Sequence, residues 1–416
     1  MADHSDHMQI QDNSVPVIVL VSSQHGGVGI IRSLGRLGIP VYGVHKGPWE
    51  PAARSRYLKG VFRWDFSSAS SSDSVAFLVD IVSRVGGRPI LVPTSDITAV
   101  FASENAKALS EAYLLSTASA EVVRSLSSKH EMFKLCQKLG VPTSHTMLPQ
   151  TREDVLNFAH ANKFPVIVKG ESGEFLQKNG IRGRVAIVAN EKDLLKIYDT
   201  NTGINQTQLL LQEYIPGGDD TIWMFNGYFN ERSECLFGAT GRKLRQFPAH
   251  RGSTSLGICL KNDVVATQII QLMQALSYRG PLDVGCRFDA RDGQYKLLDV
   301  NPRIGATFRL FVSDNDMDVV RALYLDLTGQ TVASGKLLEG RKWIVESNDL
   351  ISSWTYIRER KLTLGGWLKS LRGVQEGVWL ASDDLRPLSG LPRLWFRKHS
   401  NGVTERPPVG GKSLAP

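Results

Sequence analysis

The chain has 416 residues, 42% of them apolar and 22% charged, with a net charge of +8. That length exceeds one ordinary domain, and that apolar share excludes a disordered or fibrous chain. The first fifteen residues lack the basic and apolar regions of a signal peptide, and the early apolar run Val15 to Val21 is too short to cross a bilayer.

In chain order, Val17-Ile18-Val19-Leu20-Val21 is a continuous apolar run, as expected of a strand buried on both faces. The glycine-bearing stretch Gln24-His25-Gly26-Gly27-Val28-Gly29 leads into a helical pattern through Ile30, Leu34 and Leu37, which Gly38-Ile39-Pro40 stops. Val41 to Val44 is a second strand, and a helix follows near Asp73–Val85. Pro89 to Pro93 is a third strand, with Asp96 at its carboxyl end and a helix from Ile97 to Leu109. Alternating strands and helices predict a Rossmann-like parallel sheet over residues 15–120, after a flexible stretch 1–14.

A second unit begins near residue 121. Ser127-Ser128-Lys129 leads a helix that ends at Leu139-Gly140. Phe164 to Gly170 is a strand with Lys169 at its end, followed by the polar loop Glu171 to Gly183 and the return strand Val185 to Val188. Residues 208–228 form strand, turn (Pro216-Gly217-Gly218) and strand. After a helix centred on Ile269–Leu276, residues 283–288 and 295–300 pair around Arg291-Asp292-Gly293, a hairpin signal. A helix from Met317 to Leu327 closes this unit.

From about residue 331 the chain is basic, with 14 Lys/Arg against 8 Asp/Glu, and holds five of the eight tryptophans. Leu364, Trp367, Leu368, Leu371, Val374 and Val378 share a face if that stretch is one helix. A solvated basic tail is the plainer reading, and a peripheral contact with a membrane surface or polyanion the sharper one. No nucleic-acid recognition motif is present. The last fifteen or so residues, rich in Pro and Gly, read as a disordered tail.

Three stretches carry chemistry. In Asp299-Val300-Asn301-Pro302-Arg303, residues two apart on a strand face one way, so Asp299 and Asn301 offer oxygen ligands to one side, as Mg²⁺ requires. Arg303 shares that face and suits a phosphate. Lys169 ends a buried strand before a glycine-bearing loop whose backbone N–H groups suit a triphosphate, although the P-loop arrangement is absent. The extended stretch Gln212-Glu213-Tyr214-Ile215 suits an adenine edge, and Asp219 and Asp220 suit ribose hydroxyls; an ordinary hairpin explains the same stretch equally well.

The order of these parts resembles the ATP-grasp superfamily over residues 120–330, and within it the carboxylate–amine ligases of the D-aspartate ligase and carbamoyl-phosphate-synthase-like group. The resemblance implies an α/β fold, α+β in its central part. A Rossmann-like domain (15–120) precedes a two-part ATP-grasp domain (121–330), with a nucleotide-binding part to about 210 and a metal-binding part beyond. A basic extension (331–400) and a tail (401–416) follow. It implies ATP phosphates on Lys129 and Lys169, adenine on Gln212, Glu213, Tyr214 and Ile215, and ribose on Asp219 or Asp220. It further implies Mg²⁺ (with Mn²⁺ as a substitute) on Asp299 and Asn301, and phosphate on Arg303. In the basic run Thr240 to Arg245, Arg242 and Lys243 fall where the γ-phosphate or acceptor carboxylate would lie.

Two departures stand out. The family's usual glutamate on the strand before the metal strand is Gly285 here, so Asp283, two residues earlier on the same face, is the expected replacement. The hinge opens with Gln212 in place of glutamate. The implied reaction activates a small-molecule carboxylate as an acylphosphate and joins it to an amine. The alternatives are ligation to a thiol and a non-catalytic ATP-binding regulatory protein. A homodimer and a cytoplasmic location are the matching expectations. The second agrees with Cys136, Cys235, Cys259 and Cys286 lacking any CxxC spacing.

Overall fold

The computed structural model describes residues 10–20, 25–47, 50–170, 185–205, 209–250 and 252–391. By contact the chain forms two units. One comprises Met1–Ser144 with Ile215–Ser389, and the other is built on His145–Tyr214.

In the first unit the early apolar runs form a four-stranded parallel sheet of β1 (Val17–Leu20), β2 (Val41–His45), β3 (Leu58–Arg63) and β4 (Ile90–Pro93), in the order β3-β2-β1-β4. β1 and β4 are buried at every position, which is why they read as unbroken apolar runs. The sequence predicted three strands and missed β3. As an edge strand it alternates half-buried and exposed residues, so Lys59 and Arg63 interrupt the apolar signal. The helix expected over Ile97–Leu109 is two helices, Asp96–Glu104 and Ala106–Ala112. They break at Asn105, whose side-chain amide donates to the Phe101 carbonyl at 2.8 Å.

The second unit holds a four-stranded antiparallel sheet of β5 (Thr146–Met147), β6 (Val166–Gly170), β7 (Val185–Val188) and β8 (Leu209–Glu213), in the order β5-β8-β6-β7. Val166, Val168, Leu209 and Leu211 share its core with Val155 and Phe158 of the helix Arg152–Asn162. The loop predicted over Glu171–Gly183 lies outside the described residues.

The chain returns to the first unit as β9 (Ile222–Phe229), β10 (Cys235–Phe247), β11 (Ser253–Cys259), β12 (Gly280–Asp289), β13 (Gln294–Asn301), β14 (Lys342–Ile344) and β15 (Val374–Gly377). These form one sheet, β13-β12-β9-β10-β11-β14-β15, antiparallel except for the last pair. One face is apolar. Phe225, Val284, Cys286, Leu297 and Val300 pack with Val265, Ile269 and Leu272 of the helix Asp263–Ala275. Each such side chain contributes about 1.5–3 kcal/mol on burial. Residues 331–400, expected as an extension, supply β14 and β15 of this sheet. The single helical face expected from Leu364 to Val378 is instead a seven-residue helix, Leu364–Ser370. It gives way at Gly373 (φ +80°) to β15.

Charge fastens this region. Arg32 pairs with Asp384 at 3.1 Å, and Arg309 pairs with Glu376 at 2.8 Å and with Asp318 at 2.5 Å. Arg245 on β10 grips Asp349 of the helix Glu346–Arg358 with two bonds, 2.7 and 2.8 Å, where both side chains are almost fully buried. Removing one partner leaves a buried charge without its counter-ion, which costs about 3–5 kcal/mol. Asp349→Ala is therefore expected to lower the unfolding free energy by about that amount, read as a shift in the urea midpoint. A change no larger than that of an exposed control such as Asp263→Ala would contradict the assignment.

Candidate active site

At β12 and β13 the second face of the seven-stranded sheet is polar, and strand register builds it. β12 and β13 pair with Asp283 opposite Asn301 and Gly285 opposite Asp299, so all four positions share one face. On the other side of β12, Asp283 lies opposite Asn226 of β9. Asn226 donates to Asp283 Oδ1 at 2.9 Å. Asn301 Nδ2 lies 3.1 Å from Asp283 Oδ2 and 3.3 Å from Asp299 Oδ2, so one amide nitrogen sits between two carboxylates. Arg303 follows, with Nη1 3.6 Å from Asp283 Oδ2 and Nε donating to Asp96 Oδ1 at 2.9 Å. Asp96 is the first residue of its helix, at the carboxyl end of β4, so the parallel sheet and the end of β13 meet there.

Gly285 is explained by this packing. A Cβ at that position would stand 2.3 Å from Asp299 Oδ1, so the Asp299 side chain occupies the room that a residue-285 side chain would need. Asp283 has its pKa raised, chiefly by burial and also by Asp299, against the pull of Arg303. Burial lowers the pKa of Lys243 while Asp299, Asp283 and Asp219 raise it. Lys243 donates to the Gly252 carbonyl at 3.2 Å. Two half-buried carboxylates beside an amide are a donor set for a hard cation that completes its shell with phosphate oxygens and water. Among the described residues no group of three or more His, Cys, Asp or Glu is placed to hold a metal. An all-oxygen set of two carboxylates and an amide suits Mg²⁺ rather than a softer transition metal.

The structure separates residues of the basic run. Arg242 lies opposite Trp223 on β9, on the face that packs against the core helix, whereas Lys243 alternates to the polar face. Arg245 is held by Asp349 and so acts in the framework, as does Arg309 between Asp318 and Glu376. Asp219 accepts from Gln246 at 2.9 Å, contacts the Tyr356 hydroxyl and lies 3.8 Å from His250 Nδ1, so its oxygens are already engaged. Asp220 is the exposed neighbour. Asp289, at the far end of β12, is held by Arg291 at 2.6 Å and Lys296 at 2.7 Å as a turn anchor.

Lys129 opens the helix Lys129–Lys138, capped by Ser128. In the glycine stretch, Gly26 and Gly29 belong to the helix His25–Gly35. A Cβ on Gly26 would stand 2.9 Å from Ala306 Cα, so this glycine permits close helix packing. Burial lowers the His25 pKa to about 4, and its ring lies 5.6 Å from that of Trp343.

In the second unit, Lys169 Nζ donates to Gln212 Oε1 at 2.6 Å, and Gln212 Nε2 donates to Thr146 Oγ1 at 3.2 Å. Gln212 is thus a buried support for Lys169. Glu213 Oε2 accepts from the His145 backbone at 3.3 Å. Tyr214 follows the end of β8, and Ile215, buried, opens the return to the first unit.

Sequence reasoning missed Asn226 and Arg287. Asn226 is a lone polar residue inside the apolar strand Ile222–Phe229, a signal that marks a functional face. Arg287 donates to Thr221 Oγ1 at 3.1 Å and to the Gly217 carbonyl, anchoring the turn after the hinge; nothing local flags it.

No family model matches the chain. It is 24% identical over 245 residues to the D-aspartate ligase of Enterococcus faecium, covering 56% of this chain and 57% of that protein. It is 23% identical over 197 residues to the C-terminal section of the carbamoyl phosphate synthase large chain of Methanocaldococcus jannaschii, 45% of this chain and 30% of that one. The chain thus spans about half or less of the length of these relatives. Among solved structures it is similar to N5-carboxyaminoimidazole synthetase from Staphylococcus aureus complexed with ADP. The TM-score is 0.60 at 13% identity, over 80% of this chain and 82% of that one.

The fold is that of the ATP-grasp ligases. A second such likeness is to the biotin carboxylase domain of Hydrogenobacter thermophilus 2-oxoglutarate carboxylase, solved with MgADP, ADP and bicarbonate. There the TM-score is 0.58 at 16% identity, over 78% of this chain and 72% of that one. Within the ATP-grasp fold, the polar face of β12 and β13 is the candidate centre.

The Asp219 cluster yields a pH test. The Asp219 carboxylate, 3.8 Å from Nδ1, raises the His250 pKa, against desolvation, and Glu359 at 2.7 Å adds to the rise. A raised folded-state value means that the stabilisation is complete below about 6.5, the ordinary histidine value. It is lost as pH rises through the folded value. The stability gap between the native chain and His250→Gln is expected to close with rising pH in thermal unfolding. A gap that stays constant or widens would refute the linkage.

Proposed function

We propose that this protein is an ATP-dependent ligase that activates a small-molecule carboxylate as an acylphosphate and joins it to an amine. The observation that carries the reading is the convergence of Asp283, Asp299, Asn301, Lys243 and Arg303 on or beside one sheet face in an ATP-grasp fold. Asp283, Asp299 and Asn301 hold Mg²⁺, whose role is to neutralise phosphate charge. Lys129, Lys169, Lys243 and Arg303 bind phosphate oxygens. Gln212, Glu213, Tyr214 and Ile215 hold adenine, and Asp220 takes the ribose in place of the engaged Asp219.

A substrate carboxylate oxygen attacks the γ-phosphorus, and the bond to the β–γ bridging oxygen breaks, leaving ADP. The amine then attacks the acyl carbon, loses a proton and expels phosphate. This chain supplies positioning and charge, and no side-chain nucleophile is required. The likeness to D-aspartate ligase favours an amino acid among the substrates. A non-catalytic ATP-binding role is the second reading, favoured by Gly285 at the place of the family's usual glutamate.

The test is ADP release and hydroxamate formation with pooled carboxylic and amino acids, with and without hydroxylamine. Wild-type turnover is expected, and Asp299→Ala is expected to lose at least about a thousandfold while keeping its unfolding temperature. Mg²⁺-dependent ADP release by Asp299→Ala at the native rate would refute the site. ATP binding by the native chain without hydroxamate from any acid would favour the second reading.

A further inference from the structure

The helix Glu346–Arg358 is packed inside out. Its buried residues are Asp349, Ser352, Ser353 and Tyr356, three of them small or charged polar groups. That inner face is polar for a local reason. Asp349 receives two bonds from Arg245, one from Ser255 at 3.2 Å and one from the Trp367 indole at 3.1 Å, while Tyr356 bonds Asp219. No such reason accounts for the outer face, where Leu350, Ile351 and Trp354 are 60%, 52% and 64% exposed. At 100° per residue these three fall on one stripe with Arg358, which is also exposed. The next helix in the chain, Leu364–Ser370, also exposes apolar side chains, Leu364 and Leu368, at 62% and 55%. An apolar stripe this exposed on a helix whose polar side is consumed marks an interaction surface.

The charge around it selects the occupant. From Leu350 to Arg372 the chain carries Arg358, Arg360, Lys361, Lys369 and Arg372 against the single acid Glu359, and that acid already contacts His250 and Lys361. A second copy meeting this face about a two-fold axis would bring these cations together. The Leu350, Ile351 and Trp354 side chains offer on the order of 400 Å², taking about 150–250 Å² for a fully exposed large side chain, against roughly 800 Å² per partner in a stable interface. An anionic lipid surface meets both features. It accepts a shallow wedge of Leu, Ile and Trp, and it attracts a basic rim. No described helix is long and apolar enough to cross a membrane, so the contact is peripheral.

We propose that the outer faces of Glu346–Arg358 and Leu364–Ser370 form a docking surface for an anionic membrane, with Trp354 as its wedge and Arg358 and Arg360 as its rim. The test is co-sedimentation of the full chain with vesicles of phosphatidylcholine alone and of equal parts phosphatidylcholine and phosphatidylglycerol. Binding is expected to the mixed vesicles only, and to fall as salt rises. A Leu350→Ser, Ile351→Ser, Trp354→Ser variant is expected to partition at least about tenfold less with its unfolding temperature unchanged, since it touches only the outer face. Arg358→Gln with Arg360→Gln is expected to remove most of the salt dependence. No sedimentation with mixed vesicles, or sedimentation that the triple variant leaves unaltered, would overturn the proposal. So would a native dimer that the triple variant converts to monomer, in favour of self-association.

Discussion

The pairing of β12 with β13 is the constraint from which the candidate centre follows. One register puts Asp283 against Asn301 and Gly285 against Asp299. A slip of one residue would send both acids into the core that holds Val284, Cys286 and Val300. Burial of those apolar side chains therefore fixes the position of the acids on the other face. Gly285 is part of the same constraint, because the Asp299 carboxylate lies where its side chain would be.

Like charges held this way are costly without compensation, and the structure supplies it. Asn226 and Asn301 donate to Asp283, and Arg303 and Lys243 bring positive charge nearby. Arg303 is in turn steadied by Asp96 from the parallel sheet. The framework uses charge in a different way. Arg245–Asp349, Arg309–Glu376–Arg341 and Arg32–Asp384 tie strands and helices distant in sequence, and their side chains are wholly or mostly buried. Such pairs gain little net stability over apolar packing, but they penalise any arrangement that separates them.

Legibility in the sequence followed the physics of each element. β1 and β4 were plain because strands buried on both faces are unbroken apolar runs. β3 was not, because an edge strand mixes lysine, glycine and arginine into its pattern. Asp299 and Asn301 share a face because residues two apart on a strand do, and Asp283 follows the same rule; Arg303 lies past the end of β13 and reaches Asp283 from the bend that follows. That rule, applied to Arg242 and Lys243, separates neighbours in sequence to opposite faces. The roles of Asp219, Arg245 and Arg309 were hidden. Their partners Tyr356, Asp349 and Glu376 lie between about 65 and 140 residues away, and no local spacing encodes such a contact.

The proposed centre depends on Asp283 supplying the second carboxylate oxygen to the cation. Calorimetric titration of ADP with and without Mg²⁺, on the native chain and on Asp283→Asn, tests it most directly. Mg²⁺ is expected to tighten ADP binding to the native chain by at least about tenfold, and the substitution to abolish that gain while leaving metal-free affinity within about twofold. An undiminished Mg²⁺ effect in Asp283→Asn would contradict it.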